Sequence, residues 1–95
     1  MPLKPEMLKV SATSAQGIQF AVAGTGIQDL AVEILDLSGR RVFTSGFVQG
    51  GILRWNLQNS VGDRVARGIY LYVARVRGAN GEILQSGVQK LVVRN

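Results

Sequence analysis

Residues 69–77 read IYLYVARVR. Successive side chains of an extended strand point to opposite faces. This order puts Tyr70, Tyr72, Ala74 and Val76 on one side and Ile69, Leu71, Val73, Arg75 and Arg77 on the other. A helix would need apolar residues at i, i+3, i+4 and i+7. No window of the chain offers that set without a glycine or a β-branched residue intruding. Period-two segments recur instead, and turn residues separate them at short intervals.

Seven such segments are expected as strands: Met7–Thr13, Ile18–Ala23, Leu30–Asp36, Arg41–Phe47, Ile52–Leu57, Ile69–Arg77 and Ile83–Val93. Gly24-Thr25-Gly26, Ser38-Gly39, Gly50-Gly51 and Asn80-Gly81 fall between them. Glycine supplies the positive φ that tight hairpins need. A bulge is expected near Gly87 in the last segment. Residues 1–6 read as an N-terminal tail, and residues 7–95 as one domain. Seven short strands in 95 residues predict an all-β, seven-stranded, immunoglobulin-like (fibronectin III-like) antiparallel sandwich.

Composition narrows the chemistry. The chain has no Cys and no His. It is therefore expected to be held by packing alone, with no ordinary nucleophile triad. Metal and cofactor sites are not expected either. Asp63 brings too few oxygen ligands for calcium, and Gly24-Thr25-Gly26 precedes neither a GK[ST] sequence nor a helix. Glu33 and Asp36 fall on opposite faces, which disfavours paired acid–base work. A lysine–asparagine crosslink would require Lys9, Asn95 and Glu33 to meet. No enzymatic activity is expected.

Eight arginines and three lysines stand against six acids, for a net charge of +5. They are scattered, with only Arg40 and Arg41 adjacent. An anionic partner would use Arg40, Arg41, Arg75 and Arg77 if sheet pairing gathers them. Polysaccharide fits that reading better than nucleic acid, since no Lys/Arg block of 5–8 residues occurs. The start MPLKPEMLKV does not read as a signal peptide. No apolar run approaches the ~20 residues of a membrane-spanning helix, so membrane insertion is not expected.

Three stretches carry a family resemblance: AVEILDLSGRRVFTSG, GILRWNLQNSVGDRVARGIYLYV and QKLVVRN. Together they resemble the Ig-like module of the flagellar hook-capping protein. That module is shared with the C-terminal domains of many exported bacterial enzymes and adhesins, and it is similar to the sorting domain of type IX secretion. The matching residues are Asp36 with Gly39, Trp55, then Gly62, Gly68, Tyr70 and Tyr72, and finally Lys90. The likeness covers about residues 17–95. The Pro-Asn-Pro of sorting tags is absent; Ser11-Ala12-Thr13-Ser14 stands there.

The resemblance implies that the tyrosine face turns inward beside Trp55. The core implied is Phe20, Val32, Ile34, Leu53, Trp55, Tyr70, Tyr72 and Val76. One tyrosine hydroxyl is expected to reach backbone at a sandwich corner. A stacking platform for sugars or bases would instead need these rings outside. Asp36, Gly39, Gly62 and Gly68 are assigned to turns. The opposite face would expose Ile69, Leu71 and Val73 beside Leu35 and Phe43, as an interface with a neighbouring domain or a second copy. The implied role is an accessory module of a larger exported protein, at the cell surface or outside the cell. Binding of an anionic polymer and secretion sorting are the alternatives.

Overall fold

The computed structural model describes residues 4–14 and 17–94, with side chains described from residue 17 onward. Nine strands lie among the described residues: β1 (Lys4–Ser14), β2 (Gly17–Thr25), β3 (Ile27–Leu35), β4 (Arg41–Thr44), β5 (Val48–Gln49), β6 (Ile52–Trp55), β7 (Gly68–Gly78), β8 (Ile83–Gln85) and β9 (Gln89–Val93). They form two antiparallel sheets. The smaller has the order β1-β2-β6. The larger is built on the central pair β3 and β7, with β4 and β5 along β3 and β8 and β9 along β7. The chain is thus an all-β sandwich. Strand β1 begins at Lys4, inside the stretch read as a tail.

Nine strands stand against seven expected segments because Ile83–Val93 is divided into β8 and β9, while Arg41–Phe47 stops as a strand at Thr44 and β5 forms beyond it at Val48–Gln49. Each break falls on a Ser-Gly pair, Ser45-Gly46 and Ser86-Gly87. At the first, the Ser45 hydroxyl accepts the Val32 N–H at 3.0 Å and donates to the Gly46 carbonyl at 2.7 Å. At the second, the Ser86 hydroxyl accepts the Ala74 N–H at 2.9 Å and donates to the Gly87 carbonyl at 2.9 Å. Val32 and Ala74 are cross-strand partners. Both edges of the larger sheet therefore bend away at one level. A broken edge is a poor template for pairing with another chain.

Three hairpins share one design. In Asp36–Arg40, Asn59–Asp63 and Gly78–Glu82, the first residue's N–H donates to the fifth carbonyl at 2.8–2.9 Å. The fourth residue's N–H donates back to the first carbonyl at 3.0 Å. The fourth residue is always glycine, at φ of +90°, +91° and +88°. A residue with a Cβ resists that left-handed conformation, so Gly39, Gly62 and Gly81 fix where the chain reverses.

The core lies between the sheets. The smaller sheet contributes Ile18, Phe20, Leu53 and Trp55. The larger contributes Leu30, Val32, Ile34, Tyr72, Ala74, Val76, Leu91 and Val93. Phe20 meets Tyr72 edge-on, with ring centroids 5.3 Å apart. Trp55 is fully buried, and Phe43 stacks on it at 6.0 Å. Aromatic pairs in these arrangements add about 0.5–1.5 kcal/mol beyond their buried area.

Strand β6 stops at Trp55, two residues before the expected end at Leu57. Leu57 still reaches the core, through a turn at φ +66°. This is the one non-glycine positive φ among the described residues. Val65 N–H bonds the Leu57 carbonyl at 2.9 Å, so this corner sets the root of the 57–65 loop.

Candidate functional site

Two surfaces stand out: the outer face of the larger sheet, and a cleft at the end of the sandwich. The outer face follows from register. Asp29 lies opposite Arg77, Ala31 opposite Arg75, Glu33 opposite Val73, and Leu35 opposite Leu71. On the other side of β7, Ile69 pairs with Val92 and Leu71 with Lys90.

The face is divided in two. One half is a charged ladder. Arg41 Nε donates to Glu33 at 2.6 Å, and Arg75 Nη2 lies 4.0 Å from the other Glu33 oxygen. Arg75 Nε also donates to Gln85 at 2.8 Å. Arg77 donates to Asp29 at 2.9 Å and stacks over Phe47, 4.2 Å from the ring centre. The other half is apolar. Ile69 and Val92 sit side by side, 47% and 43% exposed, next to half-buried Leu71 and Leu35.

This corrects two of the interface residues. Val73 is only 5% exposed. Glu33 lies directly across from it and is bridged to Arg41 and Arg75, whose aliphatic stems shield apolar surface of this kind. Phe43 faces the other way. The β3–β4 register shifts between Ile34 and Leu35. The extra residue aims both Val42 and Phe43 toward the core, and Phe43 is the Ile34 partner. Val92 joins the patch in their place. Its signal in the sequence was an apolar residue out of phase between Leu91 and Val93.

The four arginines do not form one cationic field. Arg41, Arg75 and Arg77 are each committed to an acid on the sheet. Arg40 lies at the β3–β4 turn, with a side chain 83% exposed. Exposed ion pairs contribute about 0–1 kcal/mol each, so the ladder orders this face more than it stabilises the fold. Glu33, the third member of the proposed crosslink trio, sits on the outer face bound to Arg41. The side chains of Lys9 and Asn95 lie outside the described residues. Among the described residues no three His, Cys, Asp or Glu side chains converge.

The cleft is formed by two of the three matched turns, Asp36–Arg40 and Asn59–Asp63. It is an open groove of about 540 Å³. The second turn is tied to β4 by Ser60 N–H and Oγ, which donate to the Val42 carbonyl at 3.2 and 3.4 Å. Asn59 Oδ1 accepts the N–H groups of Val61 and Asp63 at 3.1 and 2.9 Å. Val42, Val65, Ala66 and Tyr70 line the apolar part. The Tyr70 hydroxyl donates to the Ala66 carbonyl at 2.5 Å, which is the corner bond expected of one tyrosine. Arg40, Arg41 and Arg64 line the polar part.

Asp36 caps its turn. Its Oδ1 accepts the Ser38 hydroxyl at 2.6 Å, the Ser38 N–H at 3.0 Å and the Arg40 N–H at 2.9 Å. The Ser38 hydroxyl, then the Arg40 N–H, hold its carboxyl below the ordinary value of 3.8. A depressed folded-state pKa makes the cap's contribution fully present above the unfolded value. It is lost as pH falls through the lower folded one. In an acid titration followed by NMR, the Ser38 and Arg40 amides are expected to move together below pH 3.8. The Asp36→Asn variant should show no such step. Amides that already shift above that pH would contradict the cap.

No protein-family model matches the chain, and comparison with curated protein sequences finds no match. Two solved structures are similar in fold. One is the dimeric latent PorU of Porphyromonas gingivalis, with a TM-score of 0.71 and 20% identity over 97% of this chain. The match spans 9% of that PorU chain. The other is CopC from Methylosinus trichosporium OB3b, with a TM-score of 0.61 and 19% identity. It covers 96% of this chain and 92% of that one. At these identities the likeness is one of fold, and both comparisons agree on a β-sandwich.

Proposed function

We propose that this chain is a non-catalytic accessory module of a larger exported bacterial protein. It packs against a neighbouring domain through the apolar half of its outer sheet face. The observation that carries this reading is the exposed Ile69–Val92 pair beside Leu35 and Leu71. Contiguous apolar surface rimmed by polar groups marks an interaction site. The charged ladder and Lys90 provide that rim.

Three further observations support it. The PorU likeness covers nearly all of this chain yet under a tenth of that one, as suits a module within a longer protein. Three of the acids are engaged by neighbours: Asp29 with Arg77, Glu33 with Arg41, Asp36 with Ser38. Export rests on the resemblance carried by Asp36, Gly39, Trp55, Gly62, Gly68, Tyr70 and Tyr72. That same resemblance leaves sorting as a second reading, tested by fusing the chain to a reporter in a type IX host.

The test of docking compares the isolated domain with the domain carrying its natural flanking sequence. The flanked form is expected to unfold at higher temperature. Replacing Ile69→Asp and Val92→Asp together should remove that increment. In the isolated domain each change should cost about 1 kcal/mol of strand preference, and the two carboxylates, directly opposite each other, repel besides, so the increment is read against the isolated double variant. A double variant in which the flanked form keeps its full increment over the isolated domain would remove the sheet face from the interface.

A further inference from the structure

The two halves of the outer sheet face differ in how their charges are met. On one half each cation has an acid: Arg41 and Arg75 share Glu33, and Arg77 holds Asp29. On the apolar half the unpaired charges are all positive. Lys90 lies directly opposite Leu71, and the next outward pair on these two strands is Ile69 with Val92. Gly68 and Val93 close the ladder, and Arg67 and Arg94 adjoin that last pair. Lys90, Arg67 and Arg94 are all exposed. Among the described residues none of the three is paired with an acid.

The acids nearest in the fold are committed elsewhere. Glu33 and Asp29 hold the arginines of the other half. Asp36, which follows Leu35, uses its carboxylate on Ser38 and Arg40 within its own turn. Glu82 lies in the turn beyond the far end of β7.

A surface that covers Ile69 and Val92 also takes water from the cations beside them. Those cations then need opposite charge from the covering surface. A second copy of this chain, laid face to face, would bring the same unpaired cations against them, and like-charge repulsion opposes that. A lipid surface would supply negative charge. Interfacial anchoring, however, needs apolar groups standing ~5–10 Å into the headgroup boundary, and Ile69 and Val92 are less than half exposed on the face of a sheet.

We infer that the occupant is an aliphatic patch bordered by aspartates and glutamates, on the neighbouring domain of the same parent protein. Its aliphatic side chains lie on Ile69, Leu71 and Val92, and its carboxylates meet Lys90, Arg94 and Arg67. The inference rests on the docking reading above and adds the chemistry of the partner. Apolar contact supplies the attraction, and the charges select the partner and fix its orientation.

The experiment uses the flanked chain and the isolated domain, with each variant of the one read against the same variant of the other. Lys90→Glu and Arg94→Glu together should remove most of the rise in unfolding temperature that the flanking sequence gives. Lys90→Arg should keep it. Roughly 1 M sodium chloride, where the screening length is about 3 Å, should shrink the parent's increment. The same salt should restore part of the increment of the charge-reversed pair, since it screens repulsion there. Arg54→Glu, an exposed position on the smaller sheet, should change nothing in the increment.

The outcomes separate this inference from the docking reading. An increment abolished by Ile69→Asp with Val92→Asp, yet untouched by salt and by the charge reversals, overturns the acidic partner and leaves docking in place. An increment that survives both pairs of substitutions, or no increment at all, removes both. An isolated domain that sediments as a dimer, and as a monomer once Ile69→Asp is introduced, assigns the patch to a second copy. Binding of the isolated domain to phosphatidylserine vesicles that Ile69→Asp abolishes assigns it to a lipid surface.

Discussion

Trp55→Ala is expected to cost about 3–5 kcal/mol of folding stability. The indole is fully buried between the sheets. It supplies a stacking surface to Phe43 at 6.0 Å. Its Nε1–H donates to the Gln58 carbonyl at 2.9 Å. Truncation to alanine leaves a cavity that rigid strands cannot close, and it strips the Gln58 carbonyl of its donor. Domains of this size hold about 5–15 kcal/mol in total, so the variant stands at the edge of folding. Urea unfolding followed by circular dichroism measures the loss. Trp55→Phe is the milder truncation. It keeps one buried ring, loses the hydrogen bond at about 1 kcal/mol, and leaves a smaller cavity than alanine does where the second ring stood. The native protein should also emit tryptophan fluorescence at short wavelength, shifting to longer wavelength on unfolding. A Trp55→Ala protein within 1 kcal/mol of the parent would mean that the two sheets do not close on this ring.

The sequence displayed the parts of this fold that depend on alternation. Along β7, parity alone separates Tyr72, Ala74 and Val76 from Leu71, Arg75 and Arg77. The turns were readable too, because Asp36 with Gly39 and Asn80 with Gly81 carry the local chemistry of a reversal. Parity fails where an extra residue enters the register. The bulge opposite Leu35 turned Phe43 inward, and nothing local announces it. The left-handed Leu57 is a similar case: its in-phase position suggested two more strand residues, and a corner took their place. Ile69, Leu71 and Leu35 were legible as an outward set. The covering of Val73 depends on Glu33, Arg41 and Arg75 meeting across three strands, which is a property of the sheet. The cleft was the least legible feature. Arg64 is remote from Arg40 along the chain, and they share a wall only because Ser60 ties its loop to Val42. A local clue did exist, since Leu37 and Val61 are aliphatic residues inside glycine turns.

The paired edge breaks yield the second large effect. Ser45→Ala and Ser86→Ala together are expected to lose about 2–6 kcal/mol, from about 1–3 kcal/mol for each buried amide left without an acceptor. Val32 and Ala74 face each other as a pair whose N–H and C=O groups point outward, toward the two edges. At a continuous edge strand a backbone carbonyl would accept each N–H. Here the chain bends at glycine, and a serine hydroxyl stands in as acceptor and passes its own proton to the glycine carbonyl. Alanine removes both bonds of each relay. Threonine keeps the hydroxyl, so Ser45→Thr and Ser86→Thr should retain most of the stability. Water reaching the half-buried serines sets the lower end of the range. Hydrogen exchange gives the local readout. The Val32 and Ala74 amides should lose protection in the alanine variants before their neighbours do, since a broken relay opens the edge without unfolding the core. Losses below about 0.5 kcal/mol for the double alanine variant, with both amides still protected, would show that the bends hold without their hydroxyls. The edges of the larger sheet would then be shaped by glycine alone.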